Sequence, residues 1–145
     1  MQFTATLAAA ILSASAVLGA PTAVAATIPN WTMTGLKRVC NSADTSCTWS
    51  FGIQTNSVPA TATTPCSFVV TGTPASHSDL KTPKTCGTFR VTAGWSGQFG
   101  PGTGFTTLAV FNNANSQIAW PSYTDNELAG GKAVTPDKSW AVTQM

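Results

Sequence analysis

The chain has 145 residues, only 8% of them charged, with seven Lys/Arg against five Asp/Glu and a formal charge of +2. The basic residues are scattered (Lys37, Arg38, Lys81, Lys84, Arg90, Lys132, Lys138) and only Lys37 and Arg38 are adjacent, which excludes a phosphate-tracking surface and a nucleic-acid partner. Solubility falls instead to Thr, Ser, Asn and Gln, a composition suited to an extracellular β protein and not to a cytosolic enzyme.

Residues Met1 to Ala25 carry no charge, and an apolar stretch from Leu7 to Ala20 precedes the small-residue pattern Ala23-Val24-Ala25. This predicts a secretory signal peptide over 1–25, cleaved after Ala25, with Ala20 as second choice although Pro21 makes that site poor. The apolar run is shorter than the roughly 18–20 residues that cross a bilayer and no later run approaches it, so no membrane span is expected. The stretch departs from the usual signal in lacking Lys or Arg before the apolar run; a buried apolar N-terminal helix is the alternative. Residues 26–145 are expected to form a single monomeric β domain, small enough for cross-links to matter.

Asn30-Trp31-Thr32 is an N-x-Ser/Thr sequon where the first strand begins, making Asn30 a candidate glycosylation site in a eukaryotic host. Trp31-Thr32-Met33-Thr34 alternates until Gly35, where Leu36 shifts the phase, as a β-bulge would. Four cysteines behind a secretory signal, Cys40, Cys47, Cys66 and Cys86, read as two disulfides. Of three connectivities the local pattern favours Cys40–Cys47, flanking the turn-rich Asn41–Ser46, and Cys66–Cys86, bracketing the polar stretch Thr71–Thr85. On the chain-entropy relation these closures contribute about 2.5 and about 3.3 kcal/mol. A zinc site fails on spacing, with no C-x-x-C and one histidine. No cofactor is expected.

The clearest strand is Cys47–Gln54, where Cys47, Trp49, Phe51 and Ile53 face one way and Thr48, Ser50, Gly52 and Gln54 the other. Cys66–Thr71 is more uniformly apolar and predicts a strand covered on both faces. Ser76-His77-Ser78-Asp79 holds the only histidine; with Pro74 and Pro83 flanking it, His77 reads as a solvated turn residue and not as a base oriented by Asp79. Thr88–Trp95 alternates again. Asp44, Asp79 and Asp137 each fall in a polar turn, their ordinary location.

Between Gly94 and Phe105 the chain carries five glycines, Pro101 and three aromatics, which predicts a shaped loop that needs positive φ or close backbone approach. Gly94-Trp95-Ser96-Gly97-Gln98 is not a nucleophile elbow, because position 98 is Gln and no helix follows. Nor is it a phosphate loop, since no Gly-Lys-Ser/Thr ends it. Trp95, Ser96, Gln98 and Phe99 are a candidate recognition loop, stacking on a sugar ring or a protein partner; the alternative is that Trp95 and Phe99 fold back to plug one end of the fold.

Strand-like runs follow at Phe105–Phe111, Ser116–Trp120 and Ser139–Thr143, bringing the expected total to about seven. Thr124 with Glu127 is a capping box and Gly130-Gly131 a stop, predicting a single helical turn in which Asp125 and Glu127 diverge too far to act as a carboxylate pair. The expected fold is all-β, a small disulfide-stapled sandwich or barrel.

On Trp31 through Phe51, with Gly35-Leu36-Lys37-Arg38-Val39-Cys40 and Cys47-Thr48-Trp49-Ser50-Phe51-Gly52, then Gly94 through Leu108, Tyr123-Thr124-Asp125 and Leu128-Ala129-Gly130-Gly131-Lys132, the chain resembles a family of small secreted fungal proteins. Some members of that family are elicitors of the hypersensitive response in plants. The resemblance implies secretion, two disulfides, a compact β fold and recognition by a plant host, and it carries over no catalytic residue. The expected function is a non-enzymatic extracellular effector, in the apoplast or the fungal wall, perceived by a plant cell-surface receptor. The alternative is a wall-associated or glycan-binding module using Trp95, Phe99 or Tyr123, and a hydrolase comes third, because no constellation in the sequence has the logic of a site.

Overall fold

Period-two alternation shapes the longer strands of the computed structural model, which describes residues 27–145; the predicted signal peptide lies outside the described residues. The strands are β1 (Trp31–Cys40), β2 (Ser46–Gln54), β3 (Thr64–Thr71), β4 (Lys84–Cys86), β5 (Phe89–Ser96), β6 (Phe105–Asn112), β7 (Gln117–Ala119), β8 (Ser122–Thr124), β9 (Lys138–Trp140) and β10 (Val142–Gln144). One sheet has the order β3-β2-β1-β9 and the other β10-β7-β6-β5-β4, with β8 pairing the far half of β6. All pairings are antiparallel. The two sheets form an open sandwich and not a closed barrel.

The inner faces supply the core. Trp31, Met33 and Leu36 of β1, Trp49, Phe51 and Ile53 of β2 and Phe68 and Val70 of β3 meet Phe89 and Val91 of β5 and Leu108 and Val110 of β6. Trp31 and Phe89 meet edge to face across the layers at 5.3 Å, a favoured aromatic geometry. The phase shift at Gly35 is a bulge: the β1–β2 register slips between Thr34 and Lys37, and Gly35 has φ +57°. The slip carries Leu36 and Arg38, not Lys37, to the inside.

Cys40 bonds Cys47 across the mouth of the β1–β2 hairpin, and Cys66 bonds Cys86, joining β3 of one sheet to β4 of the other. Three expectations are corrected. Cys66–Thr71 is not covered on both faces: in β3, Ser67, Val69 and Thr71 point outward, with Val69 51% exposed. Among the described residues the strands number ten and not about seven, because β4 and β8 are three-residue pieces too short to show a period. Ser139–Thr143 is also not one strand: the chain changes sheets at Ala141, so that β9 pairs with β1 and β10 with β7.

The helical turn forms where the capping box places it. Thr124 N–H donates to Glu127 Oε2 at 2.9 Å, Glu127 N–H donates to Thr124 Oγ1 at 3.2 Å, and a 3₁₀ turn follows at Ala129–Gly131. A second such turn, Ala75–His77, lies between β3 and β4. Glu127 also pairs with Lys138.

Tyr123, a candidate glycan contact in the sequence, is only 1% exposed and cannot stack on a ligand. Its ring meets Trp140, whose Nε1–H donates to the phenol oxygen at 3.3 Å. Burial pushes its hydroxyl up to about 12, from an ordinary 10. A pKa raised on folding gives stability that is complete below about pH 10 and is lost as pH rises toward 12. Tyr123→Phe is therefore expected to flatten this alkaline loss, worth on the order of 2 kcal/mol. Urea midpoints at neutral and strongly alkaline pH check it, and an unchanged alkaline loss in the variant would count against the assignment.

Candidate functional site

The glycine-rich connection between β5 and β6 is built around Trp95 near the end of β5. Its backbone N–H donates to Asp79 Oδ1 at 2.9 Å, and its indole Nε1–H donates to Asp125 Oδ2 at 2.9 Å. The His77 ring stacks on the indole, 4.3 Å between centroids and 14° from parallel. A Cβ at Gly97 would come within 2.5 Å of indole Cη2, and one at Gly104 within 2.8 Å of Cζ2 while also striking the Asp125 carboxylate. These two glycines let the backbone close on the ring. Gly100 and Gly102 serve a different need, with φ of +104° and +75°.

Trp95 is therefore half-buried and pinned, whereas Phe99 at the tip is 71% exposed and its ring stacks on Phe105 at 5.8 Å. Gln98 is exposed beside it, its N–H donating to Ser96 Oγ at 3.4 Å. Inside the loop, Gly100 N–H donates to Gly97 O at 3.1 Å and Thr103 Oγ1 to Gly100 O at 2.7 Å, which fixes its course. A crevice of about 410 Å³ lies against it, bordered by His77, Trp95, Pro101, Asp125 and Asn126.

Asp125 is the hub. Besides the indole it takes Arg38 Nη1–H on Oδ1 at 3.0 Å, and its Oδ2 lies 3.4 Å from His77 Nε2. Its backbone N–H donates to Gly104 O at 2.9 Å, tying the far end of the loop to the same residue. Arg38 is 7% exposed; it also donates to Ser76 O at 2.9 Å and lies over the Trp49 ring at 5.7 Å. Ser76 in turn donates its N–H (2.8 Å) and its hydroxyl to the Asp44 carboxylate. The hydroxyl bond from Ser76 does most to hold Asp44 below the usual carboxylate range, against a partial opposing effect of burial, with Arg38 and His77 adding to it.

Three sequence readings change here. His77 is not merely a solvated turn residue: it caps Trp95 and faces Asp125. Asp44 and Asp79 do more than occupy polar turns, since each holds a distant strand or turn, and Asp137 likewise takes the N–H of the bulged Gly35 at 2.9 Å. Trp95 and Phe99 part company, the first pinned beneath His77 and Asp125 and the second exposed at the tip with one face on Phe105.

His77 and Asp125 are the two halves of an acid–base relay, but among the described residues no hydroxyl hydrogen-bonds to His77. The arrangement is a clasp that shapes the loop. The one cluster of metal-ligand type among the described residues, Cys40, Asp44 and Cys47, has both sulfurs committed to a disulfide. Asn30 lies exposed at the opposite end of the sandwich, just before β1, its carbonyl accepting from Asn56 Nδ2 at 2.8 Å.

Residues 32–145 match the family model described as Effector TSP1. A protein of Hypocrea virens (strain Gv29-8 / FGSC 10586) described as Effector TSP1 is 45% identical, over the whole of this chain and 99% of that protein.

Proposed function

The chain belongs to the Effector TSP1 family, a family of fungal effectors, and from that premise we propose that it is a secreted, non-enzymatic effector that elicits plant defence, up to a hypersensitive response. Residues 1–25 direct export and are removed, and residues 26–145 act as a monomer outside the cell, with Asn30 open to glycosylation. The partner is a plant cell-surface receptor.

The observation that supports this reading best is the contrast within the loop. Phe99 and Gln98 stand in solvent on a connection whose two ends are both fastened to Asp125. A large exposed aromatic on a rigid loop loses little conformational entropy on binding, the usual character of an interface hot spot. The glycan alternative through Trp95, Phe99 or Tyr123 has weaker support, because Trp95 is already stacked on His77 and Tyr123 is buried, which leaves Phe99 as its one largely exposed ring.

Infiltrating leaves with the oxidised secreted protein is expected to produce a defence burst or necrosis. A reduced and alkylated sample, which cannot hold the clasp, should give none. Absence of a response at any dose, or an equal response to the alkylated chain, would overturn the proposal of a folded elicitor.

A further inference from the structure

The sheet orders leave one seam of the sandwich open. On one side the chain itself passes between the layers at Ala141, while on the other β3 and β4 end their sheets and do not pair with each other. At the Cys66–Cys86 bond the two backbones are 5.3 Å apart, close to the spacing of about 4.7–4.9 Å between neighbouring strands, so nothing fits between them there. Beyond the disulfide, a groove of about 470 Å³ lies between residues 67–71 of β3 and the segment 80–84 that leads into β4.

The direction of the β3 backbone groups follows from its neighbours. Cys40 and Cys47 stand opposite each other with Cα atoms 3.9 Å apart, the close approach of a pair that exchanges no hydrogen bonds. Cys47 therefore turns its N–H and C=O to β3, where its partner is Val70. Alternation then turns the N–H and C=O of Ser67, Val69 and Thr71 away from β2 and toward the open seam. Two observations agree. Pro65, in the same phase, has no N–H to give β2, and Gly72, in the opposite phase, donates its N–H back to Thr45 O at 3.2 Å. Among the described residues no strand pairs with this edge and no loop backbone bonds to it.

Charge names the occupant. Lys81 and Lys84 line the groove and are exposed, and no carboxylate lines it. The five carboxylates of the chain are engaged elsewhere: Asp44 by Ser76, Asp79 by the Trp95 N–H, Asp125 in the clasp, Glu127 by Lys138 and Asp137 by the Gly35 N–H. A second copy paired edge to edge would bring two such lysine pairs together, a known guard against self-association.

We propose that the β3 edge takes up an extended acidic segment of a partner protein as an added strand, its backbone paired with Ser67, Val69 and Thr71 and its carboxylates facing Lys81 and Lys84. Side chains of an added strand alternate, those on the outer face lying beside Val69 and the others turning to the groove, so the fitting sequence alternates apolar and acidic residues. This site is independent of the effector reading, and its test needs no plant tissue.

The test is a titration of the isotope-labelled secreted protein with an acetylated, amidated heptapeptide alternating valine and glutamate, followed by nuclear magnetic resonance. One comparison peptide carries lysine in place of glutamate; another carries N-methyl groups on its backbone nitrogens, which keep the charges and block strand pairing. A saturable shift of the Ser67 and Val69 amides, with slowed hydrogen exchange at both, is expected from the unmethylated glutamate peptide alone. Lys81→Glu plus Lys84→Glu, both at exposed positions, should weaken that binding about tenfold. The proposal is overturned if the glutamate peptide gives no saturable shift, if either comparison peptide binds as tightly, or if the charge reversal leaves the affinity unchanged. It is also overturned if exchange at Ser67 and Val69 in the free protein slows as protein concentration rises, since a second copy then holds the edge.

Discussion

Replacing Cys66 and Cys86 together with serine is expected to destabilise the protein by about 3 kcal/mol, a large part of the 5–15 kcal/mol that typically holds a domain. The bond spans 20 residues of sequence, so its loss frees a longer unfolded loop than loss of Cys40–Cys47, which spans seven. Its position adds to this. It is the one disulfide between the two sheets among the described residues, linking their outermost strands β3 and β4. The segment it encloses carries the Ala75–His77 turn, hence Ser76 and His77, into the clasp. By contrast Cys40 and Cys47 are already directly opposite in the β1–β2 ladder, which would hold their hairpin in register without a covalent bond. Urea unfolding of the two double-serine variants, followed by tryptophan emission, should show the larger midpoint drop for Cys66/Cys86. An equal or smaller drop would contradict the role given to the inter-sheet bond.

Asp125→Ala is expected to cost about 3 kcal/mol, the lower end of what breaking a buried ion pair costs, because Asp125 keeps some contact with water while Arg38 has almost none. The alanine strands the Arg38 guanidinium inside the sandwich, leaves the Trp95 indole N–H unpaired, and removes the carboxylate that faces His77. Asp125→Asn keeps an acceptor of the same size and should cost markedly less. The double variant with Arg38→Met should recover part of the loss, since the uncompensated charge goes with its partner. A double-mutant cycle with thermal unfolding measures this, and strict additivity of the two changes would show that the ion pair contributes nothing.

The elements written into local patterns were legible in the sequence. Cys47, Trp49, Phe51 and Ile53 announce the inner face of β2 by strict alternation, Gly35 marks the bulge by a one-residue change of phase, and Thr124 with Glu127 marks the turn by capping chemistry. What periodicity cannot carry is which strands become neighbours. Arg38 and Asp125 are 87 residues apart and Trp95 and Asp125 30 apart, so the clasp exists only once β1, β5 and β8 are brought together. Arg38 sits in phase with Leu36, which was the available sign of its burial, yet an arginine in an alternating strand reads by default as surface. His77 looked like a loop residue because Pro74 and Pro83 describe the backbone there and say nothing of the indole that covers it. The split of Ser139–Thr143 between sheets was hidden for a similar reason: three residues on each side of Ala141 are too few to show a period.

The proposal that plant cells perceive the loop between β5 and β6 is tested most directly by a dose–response in leaves comparing the native protein with Phe99→Ser plus Gln98→Ala. Neither side chain contributes to the core, so circular dichroism and urea midpoint should match the native protein. The predicted result is a dose–response displaced at least about tenfold toward higher concentration, as expected when an interface hot spot is removed. A coincident curve from an equally stable variant would contradict the assignment and move the recognition surface off this loop.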